Sequence, residues 1–120
     1  MLRLFEQKEE LGVIDDQIGT PTYGKDLAQV ILEIINVNSK DYGIYNYSNI
    51  GTTNWYDFAV TIFKFIEVNI KVNPISTKDY PTLAKRPAYS VLDTTKIKRT
   101  FNIQIPNWKD SLKVAISNLK

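Results

Sequence analysis

Apolar positions along this chain switch between two periods, and the switches mark out alternating strands and helices. Residues 1–10 set Leu2, Leu4 and Phe5 among charged side chains and read as the end of a helix. Leu11-Gly12-Val13-Ile14 is a short apolar run, most simply a buried strand, and Asp15 and Asp16 open a loop behind it. Leu27, Val30, Ile31, Ile34 and Ile35 recur at helical spacing and predict an amphipathic helix over Lys25–Asn36. Asp26 falls in its first turn, where a carboxylate suits the positive end of the helix dipole. Gly43–Ser48 alternates, is rich in aromatic residues and predicts a strand. Asn54, with Asp57 three residues on, has the spacing of a capping box, and Phe58, Ala59, Ile62, Phe63 and Ile66 supply the buried stripe of a helix over residues 55–67. Asn69–Ile75 alternates again, as a strand stopped by Pro74. Residues 76–89, with Pro81 and Pro87, form a loop. Asp93 can cap a short helix over Thr94–Phe101. Asn107 can cap a last helix with Asp110 at its third position and Leu112, Ala115, Ile116 and Leu119 as its apolar face.

That order of elements belongs to the α/β class. It begins abruptly, with a helix end and a buried strand but no preceding sheet, and so reads as part of a larger α/β domain rather than a small complete one. No internal repeat, low-complexity stretch or flexible linker interrupts it.

Composition narrows the chemistry. The chain has 120 residues, no cysteine and no histidine. A disulfide framework, a thiolate metal site and every Ser-His-Asp arrangement are excluded within it. Fifteen basic and 13 acidic residues are dispersed, for a net charge of +2, without the basic patch that nucleic-acid binding needs. No apolar run reaches membrane-spanning length, and the N-terminus turns acidic before a signal-peptide core can form, so a soluble cytoplasmic protein is expected. Neither G-x-G-x-x-G nor G-x-x-x-x-G-K-[ST] occurs, and none of the seven tyrosines is followed four residues later by lysine. No pair of acids has metal or glycosidase spacing. Catalytic, cofactor-binding and metal-binding residues are therefore expected to be absent from these 120 residues.

Two segments do not look like core. In Lys85-Arg86-Pro87-Ala88-Tyr89-Ser90-Val91-Leu92-Asp93, the proline forces Arg86 into an extended backbone, which projects its guanidinium from the loop. A guanidinium fork matches phosphate oxygens bidentately, and Lys85 adds a second charge. The alternative for Arg86 is a surface ion pair. Asp16-Gln17-Ile18-Gly19-Thr20-Pro21-Thr22 sets an acid, an amide, a glycine and a proline at the carboxyl end of a strand, where open α/β sheets collect ligands. Gln17 can contact a sugar hydroxyl or brace the loop. Gly19 suits a tight or left-handed turn. Asp16, Pro21 and Thr22 suit turn and helix-start roles, Ser90 and Asp93 a strand and a helix cap, and Trp55 an aromatic anchor between lobes.

These blocks, Asp16-Gln17-x-Gly19-x-Pro21-Thr22, Gly51-Thr52-Thr53-Asn54-Trp55-Tyr56-Asp57-Phe58-Ala59 and Arg86-Pro87-x-x-Ser90-x-Leu92-Asp93, resemble the C-terminal part of the dTDP-4-dehydrorhamnose reductases, in the extended short-chain dehydrogenase/reductase group. Pro106-x-Trp108 fits the same pattern, and Asn54 departs from it by replacing the commoner Ser or Thr. The resemblance implies late Rossmann strand-helix units over residues 1–50 and mainly substrate lobe over 51–120, with the cofactor-binding part absent. It implies substrate-binding roles for Arg86, Gln17 and Lys85, with Asp16, Gly19, Pro21, Thr22, Trp55, Pro87, Ser90 and Asp93 structural. In the parent enzyme NADPH or NADH would reduce a dTDP-4-dehydro sugar for polysaccharide biosynthesis, using a tyrosine and lysine outside this chain. The isolated chain would be inactive and prone to self-association or homodimerisation. Rival readings are a non-catalytic relative such as a methionine adenosyltransferase regulatory subunit, another nucleotide-sugar reductase or epimerase, or a free-standing interaction domain.

Overall fold

The computed structural model describes residues 9–119. The helix end expected over residues 1–10 falls almost wholly outside them, and Glu10 already belongs to a strand. Strand β1 (Glu10–Ile14) pairs in parallel with β4 (Lys71–Ile75), Leu11 opposite Val72 and Ile14 opposite Ile75. Pro74 does not stop β4 but lies within it, opposite Val13. A proline cannot donate to the ladder, so this position suits a strand with one open edge. Between these strands run β2 (Ile18–Gly19), α1 (Gly24–Val37), β3 (Thr53–Asn54) and α2 (Trp55–Phe65); after them come a 3-10 turn (Thr77–Asp79), α3 (Thr95–Phe101) and α4 (Trp108–Ser117).

Two apolar clusters hold these elements. In the first, Leu11 and Val13 of β1 pack on Ala59 and Phe63 of α2, with Tyr56, Ile66, Ile70 and Val72 around them. Burying each large side chain of this kind stabilises by about 1.5–3 kcal/mol. In the second, Val30 of α1 meets Ile97 of α3 and Ile103 and Ile105 of the segment that follows it. Phe58 and Trp108 meet edge-on, with ring centroids 5.7 Å apart, and tie α2 to α4. Helix α2 ends two residues earlier than its apolar stripe suggests, because Glu67 turns into the left-handed region at φ 58°. On α4 the buried positions are Trp108 and Ser111, while Leu119 lies beyond the helix and is exposed.

Residues 43–48 form no strand and pair with none among the described residues. Their alternation is real: Tyr45 and Tyr47 pack against the second cluster, while Ile44 and Asn46 face outward. Side chains from α3 and its end occupy the places of a partner strand. The Lys96 ammonium donates to the Ile44 carbonyl at 3.0 Å and sits 4.5 Å from the Tyr45 ring centre, and Phe101 packs on the same ring at 4.9 Å. No helix among the described residues is long and apolar enough to cross a membrane.

Candidate ligand-binding site

The three sequence blocks meet at the two-residue strand β2. Ile18 and Gly19 pair antiparallel with Asn54 and Thr53 of β3. On its other side Ile18 donates its N–H to the Ala88 carbonyl and accepts the Ser90 N–H, both at 2.8 Å. One short strand thus sets the loop after β1, the start of α2 and the Arg86-Pro87 segment edge to edge. A cleft of about 250 Å³ opens along it, lined by Gln17, Gly19, Pro21, Trp55, Arg86 and Pro87 among others. A second cleft of about 520 Å³ runs along β1, and Gln17, Trp55 and Arg86 line both.

Arg86 is exposed and forms no ion pair or hydrogen bond with any described residue. The single ion pair among them joins Glu10 and Lys71, far along the chain from it. Among the described residues the surface-pair alternative for Arg86 therefore finds no acid, and none of its guanidinium donors is used there. Lys85 is exposed too but lines neither cleft. Trp55 stands at the first turn of α2, half exposed at 51%, its ring edge-on to Phe58 at 6.4 Å, so it offers an apolar surface to both clefts. Its helix is held in place by Asn54, whose Oδ1 accepts the Asp57 N–H at 2.6 Å.

Gln17 and Asp16 share one partner. Both Asp16 carboxylate oxygens accept the Thr77 N–H at 3.0 Å, and the Thr77 hydroxyl donates to Asp16 Oδ1. Gln17 Nε2 donates to the same hydroxyl oxygen at 3.0 Å. The hydroxyl bond and then the backbone bond from Thr77 hold the Asp16 carboxyl below its ordinary range. The segment between Thr77 and Ala88, which carries Arg86, is therefore pinned at both ends to residues 16–18.

Gly19 is not in a left-handed turn. It lies within β2, and its φ is not positive. A Cβ there would come within 2.9 Å of Ser90 Oγ, so a larger residue would have to displace that hydroxyl, which donates to the Ile18 carbonyl at 3.2 Å. The left-handed glycine is Gly51, at φ 94°, pressed against Asn107 and Trp108. Thr22 is exposed and caps nothing: the N-cap of α1 is Tyr23, without a side-chain bond. Asp93 lies away from the clefts. Its Oδ1 accepts the Thr95 N–H at 2.8 Å, and its carboxyl is held low by Thr95, hydroxyl first and backbone second.

The structure adds a residue that the sequence did not single out. Asn49, 2% exposed, accepts the Tyr23 N–H at 2.8 Å and donates to Asp26 Oδ2 at 2.6 Å, to Ser111 Oγ at 2.9 Å and to the Pro106 carbonyl at 3.3 Å. Ser111 also donates to Asp26. This knot fixes Tyr23, two residues past Pro21 of one cleft wall, relative to Gly51–Trp55 of the other. A polar residue between the Tyr45-Tyr47 alternation and Gly51 was the available signal. Nearby, burial and then the Asp26 and Glu33 charges push the Tyr47 phenol up to about 12, and its oxygen has no hydrogen-bond partner among the described residues.

The parallel β1–β4 pair, the helix packed on it and the clefts beside β1 and the loop that follows it make up an α/β unit of Rossmann-like kind. The profile described as the RmlD substrate binding domain matches residues 1–120, and the chain belongs to that family. It is 47% identical to a dTDP-4-dehydrorhamnose reductase of Aggregatibacter actinomycetemcomitans, over 94% of this chain and 42% of the relative. It is 38% identical to the Escherichia coli (strain K12) dTDP-4-dehydrorhamnose reductase, over 99% and 43%. Solved dTDP-4-dehydrorhamnose reductases superpose closely. The one from Clostridium acetobutylicum gives a TM-score of 0.90 at 40% identity, covering 98% of this chain and 41% of that one. The one from Bacillus anthracis, in complex with NADP, gives 0.89 at 34%, covering 99% and 41%. The chain thus spans about two fifths of the length of these relatives.

Proposed function

We propose that these 120 residues are the C-terminal, nucleotide-sugar-binding portion of a cytoplasmic dTDP-4-dehydrorhamnose reductase, which reduces the C4 ketone of dTDP-4-dehydro-L-rhamnose with NADPH or NADH to give dTDP-L-rhamnose. The observation that carries the reading is the convergence of Gln17, Trp55 and Arg86 on both clefts, with Arg86 free of any acid among the described residues. An unpaired guanidinium suits the two phosphates of a nucleotide sugar, an indole suits a base or sugar face, and an amide suits a hydroxyl. Lys85, exposed beside Arg86, adds long-range attraction for the same anion.

The residues present do not make a cofactor site. The 120 residues hold no glycine-rich phosphate loop, and the loop after β1 leads into the short strand β2, where Gly19 sits, rather than into a helix N-terminus. They also lack the Tyr-x-x-x-Lys pair. The part assigned to this chain is to bind and orient the sugar nucleotide, and no chemical step is assigned to its side chains. The test is purified chain with dTDP-4-dehydro-L-rhamnose and NADPH or NADH, followed by cofactor absorbance and product chromatography, beside calorimetric titration with dTDP-L-rhamnose. Binding without turnover is expected. Turnover above a buffer blank would place catalysis in these residues, and absence of binding would favour a partner-binding relative.

A further inference from the structure

The contacts among Asp16, Thr77 and Gln17 fix more than position. An ionised carboxylate accepts and cannot donate, and Asp16 is ionised at neutral pH as an ordinary aspartate is, with the Thr77 bonds favouring that form further. The single hydroxyl proton of Thr77 is therefore committed to Asp16 Oδ1. Toward any other neighbour Thr77 Oγ1 is only an acceptor. Gln17 meets it at 3.0 Å, so the amide nitrogen must face Thr77 and the carbonyl oxygen must face the other way. An amide of this kind usually has two orientations of similar fit, and here the hydroxyl selects one. No protein donor among the described residues reaches Gln17 Oε1.

Resting on the nucleotide-sugar reading above, we propose that Thr77, oriented by Asp16, is a positioning residue that presents the Gln17 carbonyl to the bound ligand, so that the site selects a hydrogen-bond donor there, a hydroxyl or a ring imide N–H. Arg86 lines the same clefts and can only donate. The two residues together read a donor beside anionic oxygens, a pairing that a sugar nucleotide carries and a plain diphosphate does not. If the amide were free to turn, its NH2 end could face the ligand and the site would accept a carbonyl or ether oxygen equally well. Thr77 lies sixty positions from Gln17 and touches the ligand in no part of this scheme.

The test combines calorimetry and side-chain amide NMR on the whole chain. Thr77→Val should weaken dTDP-L-rhamnose binding on the order of tenfold, the effect of one lost hydrogen bond, and Thr77→Ser should hold it within about twofold. In a Gln17→Ala background, Thr77→Val should cause no further loss. Equal loss in both backgrounds, or none in either, would overturn the proposal, because a purely structural threonine would act independently of Gln17. A loss confined to dTDP-L-rhamnose places the donor on the sugar, and an equal loss with dTDP places it on the base or ribose. If the wild-type chain binds neither ligand, the nucleotide-sugar reading fails, and the NMR arm still decides the positioning role. In wild type the Gln17 side-chain amide protons should exchange more slowly than those of exposed Gln104. Thr77→Ser should keep that protection. Exchange as fast as Gln104 in wild type would overturn the proposal without any variant.

Discussion

Replacing Asn49 with alanine should be the most damaging single polar substitution in the chain. The side chain is 2% exposed, so water cannot take over its bonds. Oδ1 holds the Tyr23 N–H, a neutral bond, while Nδ2 serves Asp26, Ser111 and the Pro106 carbonyl. Two amide protons cannot fully serve three acceptors, so the donor side counts as one charge-assisted and one neutral bond. Neutral bonds contribute about 0.5–1.5 kcal/mol each and a bond to a charged group about 1.5–3 kcal/mol. Asp26 keeps its bond from Ser111, which limits the penalty on the carboxylate. The loss should therefore be about 3–5 kcal/mol, a large part of the roughly 5–15 kcal/mol that holds a typical domain folded. Urea unfolding followed by circular dichroism measures it, with the slope unchanged so that the midpoint shift reads as stability. Ser111→Ala in the same background should cost more than it does alone, since it removes the bond that Asp26 retains when Asn49 is lost. A loss for Asn49→Ala under about 1 kcal/mol would refute the idea that this knot is dry and fully bonded.

Acid should destabilise the chain through Asp16 and Asp93. Both carboxyls titrate below the usual Asp value of 3.8 in the folded state, so their contribution is present above that value and is lost as pH falls through the lower folded one. Asp16→Asn and Asp93→Asn should each flatten the acid limb of a melting-temperature profile, and unchanged limbs would mean that the Thr77 and Thr95 bonds do not persist in solution. The chain should also self-associate: β1 has β4 on one side only among the described residues, and Ile31, Leu32, Ile35 and Val37 of α1 are exposed. Sedimentation velocity across a concentration series should show a rising weight-average mass, and a monomer at all concentrations would mean that these surfaces are stable in water.

Much of the fold was legible where the signal was local. The apolar run at β1, the helical spacing of Leu27 to Ile35 and the caps Asn54 and Asn107 all depend on residues within one or two turns of each other. What failed depended on distant partners. Residues 43–48 have the alternation of a strand, yet Lys96 and Phe101 hold the segment by its side chains and one carbonyl. Pro74 reads as a stop, but a parallel neighbour on one side tolerates it. Gly19 is crowded by Ser90, seventy-one positions later, and no turn statistic can show that. In the site, Gln17, Trp55 and Arg86 come together across about seventy positions of sequence, while Lys85, adjacent to Arg86, lines neither cleft. Thr77 and Asn49 carried no motif, and their roles exist only through contacts that the folded chain creates.

The central claim, that this chain binds the nucleotide part of a dTDP-sugar through Arg86, is tested most directly by titrating dTDP into wild type and Arg86→Ala by calorimetry. Arg86 is exposed and bonded to no described residue, so its removal should leave the melting temperature within experimental error. A lost charge-assisted bond of about 1.5–3 kcal/mol should weaken dTDP binding roughly 10- to 100-fold. Equal affinities in the two proteins, with both folded, would contradict the account.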